Sequence, residues 1–306
     1  MVMKDPNYFY QVELLLKIIP YVMADSRFAL KGGTAINLFL RNMPRLSVDI
    51  DLTYTVLESR KDTLRYFNEE LPKVITIIEQ YLPEIHGFVE RTQEGDVVRL
   101  NFYNEKVQIK VDVNHVLRGY VNPCLQLDLC EKAQEQFATY ASVKCMSFED
   151  LYAGKICAAL DRQHPRDLFD VKILLDNEGY SEQLRKTFIV YLISNNRPIA
   201  ESLCPNRQDI TKAFKLDFEG MAFWPTDYEE LIHTREILIE LVNEKLTDKE
   251  RQFLISLKRG EPDWSLVDIP KIDEFPSVRW KLLNIKKMPA EKRKEAIQKL
   301  EKILER

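Results

Sequence analysis

The feature that most restricts this chain lies between residues 27 and 56. Arg27 to Lys31 is a β-compatible run ended by Gly32-Gly33, and Thr34 is placed to cap a short helix from Ala35 to Arg41. Pro44 stops that helix, and Val48 to Val56, rich in Val, Ile, Thr and Tyr, predicts a strand. Side chains alternate along a strand, so Asp49 and Asp51 share one face while Val48, Ile50 and Leu52 turn to the core. Two carboxylates on one face repel unless a cation lies between them. Their spacing suits a hard ion such as Mg²⁺, which one or two carboxylates and substrate phosphates usually hold. Taken singly, Asp-x-Asp is ordinary on a solvated edge strand, and Gly-Gly is an ordinary turn. The ordered combination points further: amides at a helix start can hold phosphate, and carboxylates opposite can hold the metal that bridges it.

At 306 residues the chain has room for two cores. Its 45% hydrophobic and 30% charged residues are those of a soluble globular protein. The opening Met-Val-Met-Lys-Asp-Pro-Asn is no signal peptide, and Leu14 to Ala24 is interrupted and too short to span a bilayer. Five scattered cysteines without a Cys-x-x-Cys pair read as reduced thiols of a cytoplasmic protein. The net charge of −4 excludes a generally basic nucleic-acid binder, but residues 281–306 hold nine Lys or Arg against four Glu. That tail is either a basic binding surface or a solvated amphipathic helix.

Helical periodicity marks residues 5–24 and 61–82, where Pro72 should kink or restart the helix. Gly87 to Arg91, Val97 to Tyr103 and Val107 to Val113 read as strands, the last two joined by a hairpin at Asn104-Glu105-Lys106. Residues 1–140 are thus an α+β domain with a mixed sheet, and 141–306 a mainly helical one. On the last strand, Gln108, Lys110 and Asp112 share a face. Ser147 caps a helix that carries Lys155 and Arg162 on one side, seven residues apart. Pro165 opens the next helix, with Arg166, Asp167 and Asp170 in its first turns. Exposed strand and helix faces would explain each of these charges without chemistry, Asp167 as a dipole partner. Thr247 and Glu250 form a capping box, Trp264 and Trp280 read as helix anchors, and Ile297, Leu300 and Leu304 line one face of a tail helix.

Gly32-Gly33-Thr34, a short helix, then Arg45-x-Ser47-x-Asp49-x-Asp51 resembles the signature of DNA polymerase β-like nucleotidyltransferases. This form resembles the AbiEii/AbiGii branch, the toxins of type IV toxin–antitoxin and abortive-infection systems. The string Lys155, Arg162-x-x-x-Arg166-Asp167-x-x-Asp170 resembles that family's second motif, over 100 residues downstream. Phage defence is the implied setting, with no membrane involved.

The resemblance implies transfer of a nucleoside monophosphate from a nucleoside triphosphate to an acceptor, such as the 3′ end of tRNA, and a cognate antitoxin. It implies Mg²⁺ (or Mn²⁺) on Asp49, Asp51 and Asp112, the last completing a carboxylate triad or taking a proton. Gly32, Gly33, Thr34, Arg45 and Ser47 would hold the nucleotide, and Lys155 its triphosphate. Arg166, Asp167 and Asp170 would fix Lys155 and the cleft or take part directly. Two other readings remain open: the same chemistry on a protein or small-molecule hydroxyl, and a nucleotide binder without turnover.

Overall fold

The computed structural model describes residues 6–305 and is α+β: a mixed seven-stranded sheet in the N-terminal part, with helices over most of the remainder. Met1 to Asp5, which include the stretch read against a signal peptide and the first residue expected of the opening helix, lie outside the described residues, as does Arg306. Two compact units result. One is made of the chain up to Leu151 together with Phe218–Pro225, the other of Tyr152–Asp217 and the chain from Thr226 on.

In the first unit, helix α1 (Asn7–Val22) buries Val12, Leu15, Ile19 and Val22 at the spacing that defined it. Strand β1 (Phe28–Lys31) passes directly into α2 (Gly32–Thr34), which continues as π-helix over Ala35–Leu40. Thr34 is therefore not the N-cap. Lys31 holds that position, and the Thr34 hydroxyl turns to the next strand, β2 (Asp49–Tyr54), donating to the Asp49 carbonyl at 2.5 Å. Helix α3 (Arg60–Tyr81) is capped by Ser59 and runs through Pro72 without restarting, its stripe of Phe67, Leu71, Ile75 and Ile78 buried.

Strands β3 (His86–Arg91), β4 (Val97–Tyr103) and β5 (Gln108–Val113) form an antiparallel meander. The Asn104 side chain closes the β4–β5 hairpin, accepting from the amides of Lys106 at 2.9 Å and Val107 at 3.0 Å. Beyond them come β6 (Leu125–Asp128), α4 (Glu131–Phe137) and β7 (Ser142–Cys145), which local periodicity did not reveal. The strand order is β3-β4-β5-β2-β1-β7-β6, with β2 parallel to β5 and β1 parallel to β7. Phe28, Tyr54 and Phe67 fill the core beneath α3, with ring centroids 5.2 to 5.8 Å apart.

Helix α5 (Phe148–Arg162) opens on the Ser147 cap, whose hydroxyl accepts from the Asp150 amide at 3.1 Å. The second unit continues with α6 (Pro165–Asn177), α7 (Glu182–Ser194), α8 (Ile199–Leu203), α9 (Thr211–Ala213) and α10 (Tyr228–Glu244). It ends with α11 (Asp248–Arg259), α12 (Pro276–Lys287) and α13 (Ala290–Leu304). Helix α6 packs on α10, α7 on α12, and α11 on α13. Thr247 and Glu250 form the reciprocal capping box that their spacing predicts. Trp264 anchors against Phe253 at 5.6 Å, but Trp280 is not a buried anchor, with 43% of its surface exposed. Among the described residues no helix is long and apolar enough to cross a membrane.

Candidate active site

Directly opposed residues across the sheet place a row of charges on one face: Lys31 faces Asp51, Asp51 faces Asp112, Asp112 faces Arg99, and Arg99 faces Glu90. The Arg99 Nε donates to Asp112 at 2.5 Å, and its Nη1 lies 3.2 Å from Glu90. Burial pushes the Lys31 ammonium below the usual lysine range, and the charges of Asp51 and Asp112 pull it back up. Asp49, two residues from Asp51 on the same face, is half-buried, and its carboxylate makes no hydrogen bond or ion pair among the described residues. A half-buried carboxylate without a partner is costly unless a cation arrives. Alternation places Ile50 and Leu52 on the other face, fully buried.

The Gly32-Gly33 turn sits hard against this row. Gly32 has φ +73°, and a Cβ there would fall 2.3 Å from Asp51 Oδ2, so backbone conformation and space both demand glycine. A Cβ on Gly33 would meet the Ser47 hydroxyl at 2.8 Å and the Arg45 guanidinium at 2.9 Å. Arg45 and Ser47 are themselves only 2% and 7% exposed. Arg45 donates to the Leu46 carbonyl at 2.8 Å, and Ser47 accepts from Thr34 at 3.0 Å. These side chains brace the turn from behind.

In the helical unit, the second motif closes into one buried cluster. The Lys155 ammonium on α5 lies 2.9 Å from Asp167 and 2.9 Å from Asp170 on α6. Arg162, exposed but on the same side of α5, grips Asp167 with two donors at 2.5 and 3.0 Å. Burial acts to raise the Asp167 carboxyl, but Lys155 and Arg162 together outweigh it and hold the group well below the usual carboxylate range. Arg166 does not join them. Its half-buried guanidinium makes no ion pair or hydrogen bond among the described residues.

Sequence reasoning missed Lys31, Arg99 and His115. Together with Asp51 and Asp112, Lys31 and His115 border a cavity of about 380 Å³ that Val98, Val113 and Asn114 also line. Lys31 carried a weak signal, being the last strand residue before the paired glycines. Arg99 carried a signal in the predicted β4–β5 hairpin, whose register opposes it to Asp112. Asp49, Asp51 and Asp112 offer oxygen donors alone, the kind a hard divalent cation takes. Among the described residues no three His, Cys, Asp or Glu side chains form a complete metal-holding group. The residues therefore fit a cation held by one or two carboxylates and completed by substrate oxygens.

Comparison with known proteins agrees with this layout. No curated protein matches the chain significantly. Among solved structures, MenT4, a nucleotidyltransferase toxin from Mycobacterium tuberculosis H37Rv, is similar with a TM-score of 0.62. The likeness covers 91% of this chain and 93% of that one at 14% identity, which is a likeness of fold. The family model described as nucleotidyl transferase AbiEii toxin, type IV TA system, matches residues 14–284, a span that holds both charge clusters. The chain therefore belongs to the AbiEii family of nucleotidyl transferase toxins.

Proposed function

We propose that this toxin transfers a nucleoside monophosphate from a nucleoside triphosphate to the 3′-terminal hydroxyl of an RNA, of the tRNA class, in a Mg²⁺- or Mn²⁺-dependent reaction. Family membership makes it a nucleotidyltransferase with a triphosphate substrate and an antitoxin partner. The proposed setting is phage defence in the cytoplasm. The observation that carries the reading is the Asp49 carboxylate, with no hydrogen bond or ion pair among the described residues, beside Asp51 and the Gly32 turn, where φ is positive and a Cβ would crowd the Asp51 carboxylate.

In the reaction the acceptor hydroxyl oxygen attacks the α-phosphorus, the bond to the bridging oxygen breaks, and pyrophosphate leaves with the electron pair. The hydroxyl proton passes to a carboxylate of the Asp49, Asp51 and Asp112 set and then to solvent. Bound divalent cations would neutralise charge on the attacking oxygen and on the leaving pyrophosphate. Asp49 and Asp51 are the proposed principal ligands. Arg99 donates to Asp112 and fixes its carboxylate in direction, which supports a ligand role. Backbone amides of Gly32, Gly33 and Thr34 would take a phosphate, with Arg45 and Ser47 holding the turn in shape. Lys155 and Arg166 are the proposed triphosphate contacts. Asp167 and Asp170 position Lys155, and Arg166 is a cation whose guanidinium has no ion pair or hydrogen bond among the described residues to give up.

The test incubates purified protein with each radiolabelled nucleoside triphosphate, Mg²⁺ and total cell RNA. Label on an RNA band is the expected result. Label on a protein band alone overturns the RNA acceptor and leaves transfer to a protein hydroxyl.

A further inference from the structure

Away from the residues discussed above, the helical unit holds a cavity of about 120 Å³. The chain just past α7 contributes Asn195 and Asn196, α11 contributes Lys258, and α12 contributes Trp280, Lys281 and Asn284. No acidic side chain lines it. Lys258 is only 7% exposed, yet its ammonium makes no ion pair or hydrogen bond among the described residues. Glu201 attracts it from a distance, while that carboxylate lies within ion-pair reach of Lys299 at 3.4 Å and Arg197 at 3.9 Å. Lys281 donates to the carbonyls of Asn195 at 2.5 Å and Arg197 at 2.7 Å, which leaves one N–H unused.

Two ammonium groups are thus brought to one small cavity without a counter-ion. Burial and mutual repulsion both oppose this: Lys281 is pushed down to about 8, by burial first and by Lys258 second, and burial also lowers Lys258. A core position that needed only apolar filling would be cheaper with Leu or Met. An anion repairs the arrangement, since it satisfies Lys258 and the spare donor of Lys281 at once. The neutral amides of Asn195, Asn196 and Asn284 add donors that suit phosphate oxygens. The indole of Trp280 also lines the cavity, and its 43% exposure leaves a flat ring open to stacking.

We propose that this cavity is a nucleotide subsite for single-stranded RNA, with one backbone phosphate held between Lys258 and Lys281 and the adjoining base stacked on Trp280. The proposal rests on the RNA-acceptor reading and names where part of that acceptor binds.

Binding is measured on the full chain without nucleoside triphosphate, as the anisotropy of a short labelled single-stranded oligoribonucleotide. Lys258→Met, which keeps length and loses charge, should weaken binding roughly tenfold or more. Trp280→Leu should weaken it about 5- to 100-fold, while Trp280→Phe keeps most of it. The oligoribonucleotide should raise the wild-type Tm and leave that of Lys258→Met nearly unmoved. Inorganic phosphate and a free nucleoside triphosphate serve as competitors, and displacement by either at concentrations matching the oligoribonucleotide would overturn the proposal in favour of a simple anion pocket. Trp280 lies at the surface, so Trp280→Leu reports even if Lys258→Met fails to fold. Wild-type affinity in Trp280→Leu overturns the subsite, whatever the labelling assay shows. Variant-sensitive binding without any RNA labelling supports the subsite and removes the acceptor assignment instead.

Discussion

The two charge clusters that the motifs mark are built in opposite ways. On the sheet, the Asp49 carboxylate has no hydrogen bond or ion pair among the described residues, Asp51 and Asp112 stand side by side, and the row opens on a cavity. Between α5 and α6, Lys155, Asp167 and Asp170 are at most 6% exposed, and their charges answer one another at 2.9 Å. Like charges left together cost stability and invite a ligand. Opposite charges buried together satisfy their own needs and lock the backbone that carries them. On the function proposed above, the first cluster is arranged for chemistry, while in the second Asp167 and Asp170 hold Lys155 in position. Arg166, beside the second cluster but outside it, keeps a guanidinium with no ion pair or hydrogen bond among the described residues.

The sharpest test of this contrast is to remove one charge from each cluster. Asp49→Asn and Asp51→Asn should each lower transfer by about 10³-fold or more. Both variants should fold, with the Tm of Asp49→Asn unchanged or slightly raised, since one of two like charges is gone. Near-normal transfer in either variant, assayed with Mg²⁺, would remove the ligand assignment. Asp167→Asn should do the reverse, costing about 3–5 kcal/mol of stability in urea unfolding because Lys155 loses a buried partner. A stable Asp167→Asn protein with no activity would make Asp167 catalytic and collapse the distinction.

Gly32→Ala sits between the two, with a predicted cost of about 1–3 kcal/mol from its left-handed backbone and a loss of transfer as Asp51 is displaced. The comparison also has a pH signature. The folded-state pKa of Asp167 is depressed, so its contribution to stability is fully present above the unfolded value near 4 and is lost as pH falls below it. Urea midpoints measured from about pH 6 down to about pH 3 should drop, and Asp167→Asn should flatten that drop. An identical profile in the variant would assign the acid sensitivity elsewhere. The smallest effect is expected from Arg166→Gln: a raised KM for the nucleoside triphosphate with stability within about 0.5 kcal/mol of wild type. A large stability loss there would place Arg166 in the structural cluster after all.

Much of the first cluster was legible because it is local. Period-2 alternation alone puts Asp49 and Asp51 on one face, and the Gly-Gly pair marks a turn wherever the chain goes next. The second was legible as spacing, with Lys155 and Arg162 two turns apart, but not as an outcome. Helical geometry leaves open whether Lys155 faces solvent or ends between two aspartates. Thr34 was misplaced for a related reason: its composition suits a cap, and the neighbouring strand offered its hydroxyl a better acceptor. Strands β6 and β7, four residues each, were too short to show a period.

By itself the sequence determined the strand–turn–helix–strand unit, the charged positions on each element, the caps that begin α5 and α11, and the Pro165 that opens α6. These follow from dihedral preference and from the identity of residues a few positions apart. Tertiary structure decided which strands meet. Only the parallel pairing of β2 with β5 sets Asp112 against Asp51, whereas Arg99 comes to Asp112 through the hairpin that the sequence predicts. It also returned Phe218–Pro225 to the first unit, where Phe223 bonds to the Pro44 carbonyl at 2.8 Å. It brought Lys258 and Lys281 to one cavity from separate helices. Contacts between distant segments depend on which apolar faces bury one another, and a linear pattern of residues records those faces without recording their partners.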